Sequence, residues 1–174
     1  MLAKSMSKAS VISIDCGFVP TANYPRPVLV HDGSTALLYF TAAARSPGAE
    51  EERVVAVCES CLCSKLGYPN DEALAGHPLY SSGLGFYGIF EVSPSPWMDE
   101  VKTSNRVSFP EFDMPNSRHI IVTLHDHTYE CLTQKFSVCL ASEYSADKIV
   151  TRIAMTKKEA NKALQATAVA PPVL

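Results

Sequence analysis

Residues 118–139, RHIIVTLHDHTYECLTQKFSVC, constrain the fold more than any other stretch: apolar and polar side chains alternate over two runs separated by a short polar turn. Ile120, Ile121 and Val122 are β-branched and suit a pleated, half-buried surface, and the run is too short for a convincing helix. The pattern predicts a β-hairpin that turns at Asp126 and His127 and returns through residues 129–138. Successive side chains on a strand point to opposite faces. Ile120, Val122 and Leu124 therefore share an apolar face that should meet the core, while His119, Ile121, Thr123 and His125 share a partly polar one. The hairpin also holds three of the five histidines and two of the six cysteines, so it is the first place to look for a site.

The rest of the chain reads as further short strands. Asp32-Gly33 between apolar runs at 27–30 and 35–40 predicts a second hairpin, with Gly33 supplying the positive φ of a type I′ turn. The two hairpins read alike, VHDGSTALL and LHDHTYECL, as similar turn solutions. Strands are expected at 10–16, 54–63 and 87–92, and a short helical turn at 71–75 capped by Asn70. Ser95 reads as an N-cap with Pro96 at the first helical position, opening a helix to residue 106 with Asp99 and Glu100 in its first turn. The irregular segment 65–88 is a long loop of the kind that is often functional. Together these predict an α+β fold: a mostly antiparallel sheet of about five or six strands built from hairpins, a short packed helix and a C-terminal helical tail. The expected organisation is a flexible N-terminus (1–9), a single α+β domain (10–141) and a tail (142–174) that is helical and then disordered.

Composition narrows the function classes. A chain of 174 residues that is 47% hydrophobic can bury the core of one domain. Its formal net charge of -3, with no basic cluster larger than Lys157-Lys158, argues against nucleic acid as a partner. No run is long enough to cross a bilayer and the N-terminus lacks the apolar core of a signal peptide, so no membrane association and a cytoplasmic location are expected. Six irregularly spaced cysteines read as reduced thiols. No cofactor is expected either, since Gly83-Leu84-Gly85 lacks the third glycine of a dinucleotide loop.

Several short motifs stand out between residues 54 and 138: GYPNDEAL from Gly67, GHPL from Gly76, Ser95-Pro96-Trp97 after Glu91-Val92, Asn105-Arg106, and the run from His119 through His125-Asp126 to Thr128-Tyr129-Glu130-Cys131. On these pieces the chain resembles a family of small uncharacterised bacterial proteins, whose own form of the last run is Phe-His-Asp-Ser-Thr-Phe-Glu-Cys. Leu124 and His127 depart from that form, at its Phe and Ser. The resemblance implies no known reaction.

Three site hypotheses follow from residue chemistry. His125, His127 and Cys131, with His77, are of the types zinc prefers, but their spacing flanks a turn and no CxxC has a partner pair, so no metal is expected. Cys131 with His125 or His119, and Asp126 or Glu130 as orienter, would make a nucleophile only if its thiol were exposed and lowered in pKa; Cys58, Cys61 and Cys63 read as core, with Cys58 facing away from the other two. The preferred reading is a ligand site where loop, helix and hairpin meet: His77 and Tyr80, then Trp97, Asn105 and Arg106, then His119 and His125. Arg offers a planar fork, Trp a large contact face and His polar contacts that change charge near neutral pH. Beside this stands the plainer reading that Arg106 pairs with Asp99, Glu100 or Asp126 and that Trp97 packs the helix onto the sheet. The expected function is a non-catalytic domain that binds an unknown small molecule or protein. The alternative is a small metalloprotein or a Cys/His enzyme using His125, His127 and Cys131.

Overall fold

A computed structural model of the chain describes residues 8–144. Among these residues there are nine strands in two sheets, antiparallel throughout, and one α-helix. Strands β1 (Ser10–Ser13), β5 (Cys63–Gly67), β6 (Gly88–Ser93), β7 (Arg118–Thr123) and β8 (Thr128–Thr133) form one sheet in the order β1-β6-β7-β8-β5. Strands β2 (Val28–His31), β3 (Thr35–Ala42), β4 (Glu52–Glu59) and β9 (Lys135–Leu140) form the other in chain order. Helix α1 (Pro96–Arg106) lies in the β6–β7 connection.

The alternation of the central hairpin sets the two faces. Ile120, Val122, Leu124, Tyr129 and Cys131 point between the sheets, where they meet Leu38, Phe40, Val54 and Ala56. Their odd-even partners lie outside: Ile121 joins Val11, Phe90 and Val92 beneath Leu74, Leu79 and Leu84 of the 65–88 loop. That loop carries two 3₁₀ turns, Leu74–Gly76 and Tyr80–Ser82. It closes onto β1 at Gly83 (φ 114°), where a Cβ would stand 2.7 Å from the carbonyl oxygen of Val11. Both the left-handed conformation and the close approach require glycine there.

The single sheet of five or six strands is replaced by two sheets because two expected long strands each divide. Residues 54–63 split at Ser60, whose φ of 50° ends β4 and sends β5 into the other sheet. Residues 129–138 split at Gln134 in the same way, so that β4 pairs with β9 and β5 with β8. The ladder nevertheless continues through the bend. The amide of Leu62 donates to the carbonyl of Leu132 (2.8 Å) and that of Gln134 to Glu59 (3.3 Å), while the Thr133 hydroxyl donates to the Glu59 carbonyl (2.7 Å). Paired strands that change sheets at a common bend are how corners form between packed sheets.

The local readings of turns and caps hold in part. Gly33 has φ 90°, and the Asp32 N–H donates to the Thr35 carbonyl (3.1 Å). Of the two central residues only Gly33 has a positive φ, which fits a type II′ hairpin turn in place of type I′. Asn70 is not a helix cap: its side chain accepts from the Ala73 amide (3.2 Å) in the turn that precedes the 3₁₀ segment, whose own N-cap is Ala73. The tail expected from residue 142 onward lies outside the described residues beyond 144. No described helix is long and apolar enough to cross a membrane.

Candidate functional site

Strand register brings His119 and Glu130 together on the outer face of the five-stranded sheet. Ile121 stands directly opposite Glu130 and His119 two residues along, a diagonal within reach of long side chains. Lys65 is the cross-strand partner of Glu130 on its other side. The GHPL segment of the loop adds His77, and the start of α1 adds Ser95 and Trp97.

Glu130 is the hub. His119 Nε2 lies 2.9 Å from its Oε2, and Lys65 Nζ at 2.8 Å and His77 Nε2 at 3.4 Å both face its Oε1. Only 8% of its side chain is exposed. A lone carboxylate at that depth would take up a proton. Burial pushes the Glu130 carboxyl up, but hydrogen bonds from His119, His77 and Lys65 outweigh it and hold the group well below the usual carboxylate range.

Further bonds fix both rings. The Leu79 amide donates to His77 Nδ1 (3.1 Å), which places the ring proton on Nε2, toward Glu130. Ser95 Oγ accepts from the Met98 amide (3.0 Å), capping α1, and sits 2.8 Å from His119 Nδ1. With the cap using an oxygen lone pair, the serine hydroxyl hydrogen can point at Nδ1, leaving Nε2–H for Glu130. One serine therefore starts the helix and orients the histidine.

A cleft of about 240 Å³ opens above this cluster. Glu130, His119 and His77 form its floor, and Pro78, Leu79, Pro96 and Trp97 its largely apolar walls. Lys65 and Glu100 stand at the mouth. The Trp97 ring meets His119 edge-on at 5.3 Å, and Lys65 Nζ lies 4.5 Å from the centre of the Trp97 ring, a cation–π contact. Its volume falls just below the range of drug-sized ligand pockets, roughly 300–1,000 Å³, so it suits a small ligand.

Of the seven residues expected to form a site, His77, Trp97 and His119 converge here. Tyr80 lies on the second 3₁₀ turn, edge-on to Phe86. Asn105 turns back to the carbonyl of Val101 (2.9 Å). Arg106 donates to the carbonyl of Phe112 (2.8 Å) and lies 3.8 Å from Asp113, a different acid from the three considered. His125 bonds Asp71 (2.8 Å) at the hairpin turn. Lys65 had no place in the sequence reading, and Glu130 entered it only as an orienter for Cys131, not as a ligand-site residue. Glu130 could have been found, since alternation with Tyr129 and Cys131 sends it to the His119 face; Lys65 could not, because residues 63–67 gave no strand pattern.

The rival clusters fare differently. Cys131 lies between the sheets, its Sγ 3.5 Å from that of Cys58, and burial pushes its thiol well up, opposite to what a nucleophile needs. It therefore does not join His125 and His127. Cys58 and Cys61 both enter the inter-sheet core, because the bend at Ser60 cancels the strand alternation that would have separated them. At the hairpin turn, Asp71 accepts from Tyr87 Oη (2.5 Å) and His125 Nδ1 (2.8 Å), and its amide donates to the His125 carbonyl (3.0 Å). Asp71, His125 and Asp126 are the one metal-capable group among the described residues, with ligand atoms within 4.8 Å of one another; their present bonds tie the loop to the hairpin. No protein-family model, curated protein or solved structure matches the chain.

Proposed function

We propose that this is a non-catalytic, cytoplasmic binding domain for a small molecule, and that its site is the cleft over Glu130. One observation carries the reading: a buried, ionised carboxylate, held by side chains from a strand, a loop and a neighbouring strand, forms the floor of an open cleft among the described residues. Concave apolar walls around a few convergent polar groups are the usual form of a small-ligand site. The motif pieces on which the family resemblance rests support it, because GHPL, Ser-Pro-Trp, His119 and Glu130 supply most of the lining. The cytoplasmic placement rests on the cysteine pattern. Catalysis is not favoured, since Ser95 is engaged as a cap and Cys131 is interior.

The test is an NMR screen of small-molecule mixtures against the ¹⁵N-labelled protein. Trp97 is the single tryptophan, so its indole signal reports directly on the cleft. Ligands should shift Trp97, His77 and His119 together and lose affinity in a folded Trp97→Ala variant. A screen in which hits fall elsewhere, or in which no compound moves these three, would overturn the proposal.

A further inference from the structure

We infer that the cleft recognises a small alkylammonium ion, and that Lys65 occupies this subsite as a tethered competitor. The inference rests on the binding reading above and names the ligand class. Lys65 Nζ makes the two contacts by which proteins recognise an ammonium group: the face of an aromatic ring at 4.5 Å and a carboxylate oxygen at 2.8 Å.

Charge points the same way. Two carboxylates, Glu130 on the floor and Glu100 at the mouth, line the cleft with a single ammonium, so an incoming anion meets excess negative charge and a cation meets its complement. His77 and His119 already direct ring nitrogens at Glu130 and hold its charge in place.

Lys65 is also the one member of the set free to leave. It projects from β5, at the edge of the sheet, on a flexible four-carbon stem with 55% of its side chain exposed, against 1% for His119. When it swings into solvent, the carboxylate and the ring face remain fixed for a second ammonium, and Pro78, Leu79 and Pro96 can cover a short alkyl chain. A tethered group competes at an effective concentration on the order of mM. Removing it should therefore strengthen binding of a free amine.

The experiment titrates wild type, Lys65→Met and Lys65→Gln with propylammonium chloride, sodium propionate and sodium phosphate at matched ionic strength, reading Trp97 fluorescence. Lys65→Gln keeps a donor for Glu130 should Lys65→Met fold poorly. Propylammonium should bind both variants at least tenfold more tightly than wild type, and adding Glu130→Gln should abolish that gain. Equal or weaker ammonium binding in the folded variants, or propionate or phosphate binding that depends on Lys65, would overturn the inference. If the NMR screen finds cleft ligands while propylammonium fails in every protein, the ammonium assignment falls and the binding reading stands. If that screen is empty, both fall.

Discussion

His119 and Glu130 sit diagonally across the β7–β8 ladder with Nε2 2.9 Å from Oε2, and more than nine-tenths of each side chain is buried. Because its native-state pKa is lowered, Glu130 stays ionised in the folded protein where an unfolded glutamate takes up a proton. The unfolded chain then binds more protons, so the stabilisation is complete above the unfolded value of about 4.3 and is lost as pH falls below it toward the folded value. Urea midpoints measured from pH 6 to pH 2 should drop in wild type. In Glu130→Gln the slope below about pH 4.3 should be shallower by up to one proton. An unchanged slope would mean the carboxylate is not held as described.

Ser95→Ala should remove two interactions at once. Loss of the N-cap costs about 1 kcal/mol, and the buried His119 Nδ1 loses its partner at a further cost of about 1–3 kcal/mol. Chemical denaturation should show more than a cap's worth of destabilisation. A loss within a few tenths of a kcal/mol of zero would separate Ser95 from both roles.

The Asp71 hydrogen bond raises the pKa of His125, with smaller support from the charges of Asp71, Asp126 and Glu72. A raised folded value means that His125 contributes stability below its unfolded pKa and that this is lost as pH rises through the folded one. A ¹H–¹⁵N NMR titration should place His125 above the ordinary imidazole value, and Asp71→Asn should bring it back down. Equal midpoints in the two proteins would contradict the pairing.

Thiol reactivity should divide by position. Cys58, Cys61 and Cys131 are buried between the sheets, whereas Cys16, Cys63 and Cys139 are half-buried. Brief alkylation of the native protein followed by peptide mass mapping should label the second group first. Rapid labelling of Cys131 would revive a nucleophilic role.

Phe40, fully buried on β3, is the sharpest test of the inter-sheet core. Phe40→Ala should cost about 3–5 kcal/mol, read from the urea midpoint, and a cost below about 1 kcal/mol would show that the two sheets do not close around it.

Where a feature depends on near neighbours, the sequence was enough. The inward set Ile120, Val122 and Leu124, the Ser95-Pro96 helix start and the positive φ of Gly33 follow from side-chain period and backbone chemistry, and all three are seen, although the turn is of type II′ and not I′. What depends on distant pairing was hidden. Apolar runs at 54–63 and 129–138 look continuous, and the bends at Ser60 and Gln134 appear only once β4 lies beside β9. The site divides likewise. His77, Trp97 and His119 were visible as residue types and Glu130 follows from alternation, while Lys65 needed the register that sets it against Glu130. Arg106 and Asn105 lie away from the cleft because each finds a backbone carbonyl close by, Phe112 in the loop after the helix and Val101 one turn back.

The shared bend at Ser60 and Gln134 makes the two sheets a single folded ribbon with one crease. Cys63 and Leu132, the first rung beyond the crease, lie only two residues along each strand from Lys65 and Glu130. The cleft is thus mounted beside a mechanical spine and not on a free-standing sheet. Lys65 and Glu130 share one rung of the ladder that runs into the corner, so the turn joining the two sheets also fixes the spacing across the cleft floor.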